Sequence, residues 1–385
     1  MTLYSPFDKW ATEEHKLFSD SVQKFYEEEM IPNIEEWVDQ GKVPNSFWEK
    51  AGDSGIMGGA VPESVGGFGG DIGFDSITVY EQARKGDSGW GYGIQSIVIH
   101  YLNSYGTDEQ KSKWLPRLIA GTSIAALAMT EPGAGSDLQA IKTSAKRDGN
   151  QYRLNGSKIF ITNGGSADLI VIAAKTDISA GARGISLVLL DTKEADGFRR
   201  GRPLKKLGLK GNDTAELFFD DIKIPLTNLI GPEEGQGFYQ MMKQLPWERL
   251  LIGITALGAI DFAFEETVKY VQERKAFGKR IMDLQNTRFK LAEAKTKAEV
   301  LRSFVNDCVA RLIDGKLDAA TASMAKYWGS QVQNEVMDEC LQLHGGYGYI
   351  LDYPIARMYA DARVQKIYGG SNEIMKELIA RSLDQ

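Results

Sequence analysis

Histidine and cysteine are scarce in this chain of 385 residues, with three of the first and two of the second. A structural zinc site needs about four such ligands close together, so a His/Cys metal centre is almost out of material and none is expected. Cys308 and Cys340 alone cannot make a disulfide framework, and nothing argues for an oxidising compartment. Basic charge is not in excess either. Lys and Arg number 45 against 52 Asp and Glu, a formal net charge of −7, where a nucleic-acid binder normally shows a basic face. No segment approaches the roughly 18 consecutive apolar residues of a membrane span. Met1 to Asp20 carries Asp8, Glu13, Glu14 and Asp20 without an apolar core or an Arg-rich pattern, unlike a secretory or transit leader. The expected location is therefore a cytoplasm, a bacterial one. At 43% hydrophobic and 25% charged, the chain is of ordinary globular composition. Any chemistry must rest on carboxylates, hydroxyls or a borrowed cofactor.

At roughly 150 residues per domain, the length suggests two or three domains. Residues 12 to 120 read mostly as helices, with Leu17, Val22, Phe25 and Tyr26 forming one stripe and Phe47, Trp48 and Ile56 beginning another. From 125 short apolar runs replace them. Ala125–Met129, Leu169–Ala174, Ile185–Asp191 and Glu216–Phe219 are strand candidates. Asn155-Gly156 between Tyr152–Leu154 and Lys158–Thr162 predicts a hairpin turn. Such spacing predicts a barrel or sandwich rather than a βαβ sheet. Beyond Gly237 long helical periodicity returns. Leu291, Ala294, Ala298, Leu301, Val305, Cys308 and Leu312 alternate three and four apart, as a bundle seam does. Further helices are expected from Asp318 to about Leu343 and from Asn372 to Leu383. The predicted fold is thus mainly α with a central β domain: an N-terminal helical domain (1–124), a middle β-barrel or sandwich (125–236) and a C-terminal four-helix bundle (237–385).

Five segments hold small, polar and aromatic residues in combinations suited to ligand binding. Thr130-Glu131-Pro132-Gly133-Ala134-Gly135-Ser136-Asp137 has glycines that let backbone N–H groups approach an electron-rich ligand. Phe160-Ile161-Thr162-Asn163-Gly164-Gly165 offers an aromatic face and a hydroxyl. Arg274-Lys275-Ala276-Phe277-Gly278 offers a phosphate partner in Arg274. Gln342-Leu343-His344-Gly345-Gly346 and Ile367-Tyr368-Gly369-Gly370-Ser371-Asn372-Glu373 are glycine turns at helix ends.

Together and in this order, with Pro62-Glu63-Ser64-Val65-Gly66-Gly67 before them, these segments resemble the acyl-CoA dehydrogenase family over essentially the whole chain, and most closely its long-chain branch. The resemblance implies FAD as cofactor. Leu127, Met129, Thr130, Gly135, Ser136, Phe160, Ile161 and Thr162 would contact its ring. Arg274, Phe277, Gln285, Gln342, Leu343, His344, Gly345 and Gly346 would hold its pyrophosphate and adenosine side from a neighbouring subunit, and Ser371, Asn372 and Glu373 would touch the same cofactor. For the acyl-CoA substrate it implies Ser136, Arg183, Gly184, Tyr239, Pro246, Trp247, Glu248, Arg249, Tyr368, Gly369 and Gly370.

Many family members carry a catalytic Glu in the turn where this chain has Gly369. The long-chain and isovaleryl branches instead place it early in the long bundle helix, in a segment like Leu245-Pro246-Trp247-Glu248-Arg249-Leu250, which makes Glu248 the expected base. The implied reaction is FAD-dependent α,β-dehydrogenation of a medium- or long-chain, or branched, acyl-CoA in fatty-acid β-oxidation or related catabolism. The implied partners are an electron-transferring flavoprotein and the other subunits of a homotetramer, a dimer of dimers. The alternatives are an acyl-CoA oxidase using oxygen and a non-catalytic relative that binds nucleic acid, the latter disfavoured by the acidic charge.

Overall fold

The computed structural model describes residue 7, residues 9–87 and residues 89–384. Met1 and Asp8, at the N-terminal end, lie outside them. The chain begins with helices α1 (Glu13–Phe25), α2 (Ile34–Gln40), α3 (Asn45–Asp53), α4 (Ile72–Arg84), α5 (Tyr92–Tyr105) and α6 (Asp108–Ile119). Their starts are written in the sequence. Asp71 Oδ1 accepts from Gly73 N at the start of α4. Thr107 and Gln110 form a reciprocal capping box on α6, each side chain accepting the other's backbone N–H at 3.2 Å.

Strands β1 (Ala125–Ala128), β2 (Ser144–Asp148), β3 (Gln151–Thr162), β4 (Leu169–Lys175), β5 (Ile185–Asp191), β6 (Phe198–Arg200) and β7 (Thr214–Pro225) build one curled sheet in the order β1-β4-β2-β3-β7-β6, with β5 also on β4. One edge of β4 pairs antiparallel with β5. Its other edge carries β1 in parallel and then, at Lys175, β2. β4 is buried at all seven positions because each face packs against something different. Ile170, Ile172 and Ala174 join the interior of the curled sheet, whereas Leu169, Val171 and Ala173 join the core shared with the helices.

The hairpin expected at Asn155-Gly156 is not there. β3 runs through that point with a register shift between Leu154 and Gly156. Asn155 Oδ1 accepts from Asp221 N at 2.9 Å, and Gly156 has φ of 143° with no room for a Cβ beside Thr143. The dipeptide is a bulge rather than a turn. The turn lies at Gly149-Asn150, between Asp148 and its partner Gln151, with Gly149 at φ of 60°.

From Gly237 the chain is again helical: α7 (Gly237–Glu273), a small ribbon of β8 (Lys275–Ala276) and β9 (Lys279–Arg280), α8 (Gln285–Ile313), α9 (Ala319–His344), α10 (Pro354–Ala362) and α11 (Asn372–Arg381). α7 packs against α8, α9 and, across the domain boundary, α4 and α5. The seam from Leu291 to Cys308 is buried as its spacing requires. α10 is a helix the periodicity did not reveal, as β2, β6, β8 and β9 are strands it did not; nine residues are too few to repeat a helical stripe. One apolar core spans both helical regions and the outer face of the sheet, so the three segments meet around α7.

Candidate active site

A cavity of about 310 Å³ opens where the three segments meet. Its walls come from α4 (Val79, Gln82, Ala83), α5 (Gly93, Ile94, Ile97), α7 (Glu248, Leu251, Ile252, Thr255, Ala259), the ends of β1 and β3, and the turn before α11. Nine of the residues expected from sequence line it: Leu127, Met129, Thr130, Phe160, Ile161, Thr162, Glu248, Tyr368 and Gly369.

The strand ends are held by a buried ion pair. Lys158 Nζ lies 2.9 Å from Glu131 Oε1 and donates to Met129 O at 2.8 Å. Glu131 also accepts from Lys142 N and Thr143 N. Burial works to raise the Glu131 carboxyl, but the Lys158 charge and these donors outweigh it and hold it below the usual range. Ile159 N donates to Thr130 O at 2.9 Å, and a register shift between Lys158 and Ile161 turns Phe160 outward, at φ of 60° and 64% exposed. An exposed aromatic face is thereby set beside Thr162 and Thr130 at the mouth of the cavity, a re-aimed side chain of the kind bulges produce.

Glu248 enters from α7. Tyr101 OH, on α5, donates to its Oε1 at 2.8 Å. Burial pushes the carboxyl up to about 7, against the opposing effects of the Tyr101 bond and the Arg249 charge. Pro246, two residues earlier, lies inside the helix, where it can give no N–H to the preceding turn. Trp247 and Arg249 flank Glu248 but turn elsewhere. Trp247 meets His100 edge-on at 5.8 Å, and Arg249 donates to Ser323 Oγ at 3.0 Å on α9.

Gly369, also lining the cavity, has φ of 63°, and a Cβ there would lie 2.4 Å from Ile252 Cδ1. Ile252 thus fills the space a side chain at 369 would enter. Among the described residues no acceptor takes the Gly369 N–H.

The remaining expected residues fall in three other places. Arg274 sits over the Tyr347 ring at 5.5 Å, while Tyr270 stacks on His344 at 4.3 Å and donates to His344 O. These contacts gather Arg274 with the turn of Gln342, Leu343, His344, Gly345 and Gly346. Phe277, on the adjoining ribbon, is 92% exposed, and Gln285 opens α8. Ser371 caps α11 at Ile374 N, Gly370 precedes it at φ of 88°, Glu373 is exposed, and buried Asn372 accepts from Lys326 Nζ at 2.9 Å. Gly135 and Ser136 lie in an exposed loop. The turn of Arg183 and Gly184 packs against residues 138–140 and the start of α7, where Tyr239 is exposed beneath Lys243.

Sequence reading missed Tyr101, the Glu131–Lys158 pair and two glutamines, Gln333 and Gln365, that line the cavity. Glu131 and Lys158 stood inside quoted segments. Tyr101 and the glutamines carried no local signal.

The donor set fits a flat, phosphate-bearing cofactor. Gln333 Oε1 and Gln365 Oε1 are buried without a donor, which suits the hydroxyls of a bound ligand. Gly133, Gly345 and Gly346 have open space where a Cβ would stand, leaving backbone accessible. Among the described residues no three His, Cys, Asp or Glu side chains gather as a metal cluster.

Three family models match in order: the N-terminal domain of acyl-CoA dehydrogenase at residues 12–122, its middle domain at 126–222 and its C-terminal domain at 235–383. A mitochondrial long-chain specific acyl-CoA dehydrogenase from Mus musculus is 52% identical over 96% of this chain and 86% of its own. An acryloyl-CoA reductase (NADH) from Anaerotignum propionicum is 39% identical over 97% of this chain and 95% of its own. Among solved structures, an acyl-CoA dehydrogenase from Geobacillus kaustophilus superposes with a TM-score of 0.95 at 46% identity, covering 98% of this chain and all of that one. A glutaryl-CoA dehydrogenase from Mycobacterium smegmatis, solved with FADH2, superposes at 0.92 with 28% identity over 99% and 98%. This chain belongs to the acyl-CoA dehydrogenase family of FAD-dependent oxidoreductases.

Proposed function

We propose that the chain removes hydrogen across the α,β bond of a medium- to long-chain acyl-CoA, straight or branched, and yields the trans-2-enoyl-CoA, with Glu248 as the base. The supporting observation is that Glu248 and the Gly369 turn open on one cavity with the aromatic and hydroxyl residues of the β1 and β3 ends. The long-chain reading also draws on the 52% identical relative, against 39% for the reductase. FAD, when bound, supplies the acceptor for the hydride that leaves the β-carbon. Phe160, Thr162, Thr130 and Met129 would hold its ring, and Arg274 with the Gln342–Gly346 turn its phosphates and adenosine, from a partner chain.

The protein's own work is proton transfer and charge stabilisation. A thioester α-proton is a weak acid, so charge developing on the carbonyl oxygen needs a donor set in place beforehand. Gly369 offers a backbone N–H for this without a side chain in the way. Glu248 accepts the α-proton. With its carboxyl pushed up to about 7, it is ionised above that pH, so kcat/KM rises with pH through roughly 7. Electrons then pass to an electron-transferring flavoprotein. Among the described residues no helix is long and apolar enough to cross a membrane.

Glu248→Gln tests the assignment. The variant is expected to keep its fold and FAD while acyl-CoA no longer bleaches the flavin under anaerobic conditions. Normal bleaching would remove Glu248 from the mechanism. Peroxide yield with and without the flavoprotein acceptor separates dehydrogenase from oxidase, and a panel of straight and branched acyl-CoAs ranks the substrates.

A further inference from the structure

We propose that Tyr101 is a positioning residue for this proton transfer: its buried hydroxyl clamps Glu248 Oε1 and leaves the second carboxylate oxygen for the substrate. The inference rests on Glu248 being the base. Tyr101 is 0% exposed and donates to Oε1 at 2.8 Å, while among the described residues no donor is paired with Oε2.

The clamp is one rung of a polar ladder between two antiparallel helices. Tyr101 meets Glu248, Gln244 Nε2 donates to Ser104 Oγ at 3.1 Å, and Tyr105 OH reaches Gln240 O at 3.5 Å. Each step up α5 matches a step down α7. Residues 101 and 105, like 240, 244 and 248, share a helical face at intervals of four. The upper rungs set the register of the helices, and the last rung presents a hydroxyl at the carboxylate of Glu248, which opens on the cavity. A long flexible Glu would otherwise sample several rotamers, whereas proton abstraction needs one near-attack geometry.

The same bond sets which protonation state is populated. Hydrogen bonding to a carboxylate favours its charged form. Burial, followed by the charge of Glu248 itself, holds the Tyr101 phenol well above its ordinary range, so it remains a donor at every working pH. The other groups around Glu248 do not substitute for it. Arg249, on α7, contributes charge, but its guanidinium is on Ser323 and Ala319 O of α9, near Lys326. Tyr105 on α5 faces Gln240 O. Tyr368 and the carboxylates Asp87 and Asp361 also line the cavity, with Asp87 taken by Gln82, Gly89 and Trp90, and Asp361 by Leu209 N.

The test is the pH profile of kcat/KM in the FAD-loaded enzyme, for Tyr101→Phe and Glu248→Gln side by side. Phe keeps the ring and removes only the hydroxyl. The expected result is an acid limb moved up by about one pH unit, as a charge-assisted hydrogen bond implies. The loss is then greatest on the acid side, about tenfold beyond the smaller loss of positioning that persists on the alkaline plateau, with FAD retained. A loss equal at every pH, or an unmoved limb, overturns the proposal. If Glu248→Gln is inactive while Tyr101→Phe shows an unmoved limb, only the Tyr101 role falls. If Glu248→Gln turns over normally, the base assignment itself is wrong. Should Tyr101→Phe fail to fold, 3,5-difluorotyrosine at position 101 decides: a more acidic hydroxyl is a stronger donor and moves the limb down, whereas an unchanged limb overturns the role.

Discussion

Gly369 and Ile252 illustrate how a single residue's conformation can assign chemistry to a distant one. The turn needs φ of 63° at position 369, a region an L-residue enters at a cost of roughly 1–2 kcal/mol. Ile252, one helical turn beyond Glu248, occupies the volume a Cβ would take. A carboxylate at 369 would have to displace it, which agrees with the proposal that the base stands on α7. Gly369→Ala is therefore expected to lower stability by about 1–2 kcal/mol in urea unfolding. Measured in an Ile252→Ala background, the cost of Gly369→Ala should shrink by the part due to the methyl contact and keep the backbone part. If the single variant were as stable as the parent, neither strain nor Ile252 would constrain this turn. At this scale the site was partly legible. Thr130, Phe160, Thr162, Glu248 and Gly369 were named through the family resemblance, whose motifs each lie within a few consecutive residues. Tyr101 was not, because its bond to Glu248 joins positions 147 residues apart and exists only once α5 is packed on α7.

Elements were legible where one period ran long enough. The α8 seam and the extents of α7 and α9 follow from spacings of three and four, and β4 and β5 from continuous apolar runs between turns. The Asn155-Gly156 signal failed because an Asn-Gly pair serves a bulge as well as a turn, and only pairing with β7 distinguishes them. α7 also presents to the cavity a row of residues that the sequence did not announce. Glu248, Leu251, Ile252, Thr255 and Ala259 all line the cavity, at steps of three, one, three and four along one face. At ~1.5 Å per residue the face from Glu248 to Ala259 is about 16 Å long. An extended acyl chain advances roughly 1.25 Å per carbon, given C–C bonds of ~1.5 Å, so this run matches about a dozen carbons. Ala259, opposite Val79 and Ala83 of α4, is the small residue at the far end. Ala259→Leu should shorten the run and deny burial to several methylenes at about 0.8 kcal/mol each. Exclusion of three would lower the ratio of kcat/KM for palmitoyl-CoA over octanoyl-CoA about fifty-fold. An unchanged ratio would mean that the acyl chain does not run along α7.

The whole molecule raises a question that one chain leaves open. The residues expected to bind FAD occupy separate places in it. One group lines the cavity, and another gathers around Arg274, Tyr347 and the Gln342–Gly346 turn at the far end of α7, 26 residues from Glu248 and about 39 Å along the helix. Beside that second group stand Phe277, Tyr349 and Leu351, large apolar side chains exposed in the single chain. An extended cofactor served by both groups is accounted for if the second comes from a neighbouring copy, whose contact would also cover those side chains. Complementation tests this directly. Glu248→Gln and Arg274→Ala chains are each expected to be inactive, the first for want of a base and the second for want of FAD. If Arg274 acts across a two-fold interface, co-refolding equal amounts creates sites with Glu248 from one chain and Arg274 from the other. Random pairing makes about one quarter of all sites complete, so activity should return to about one quarter of the parent level. If Arg274 served the cavity of its own chain, every mixed site would still lack one partner, and the mixture would stay inactive.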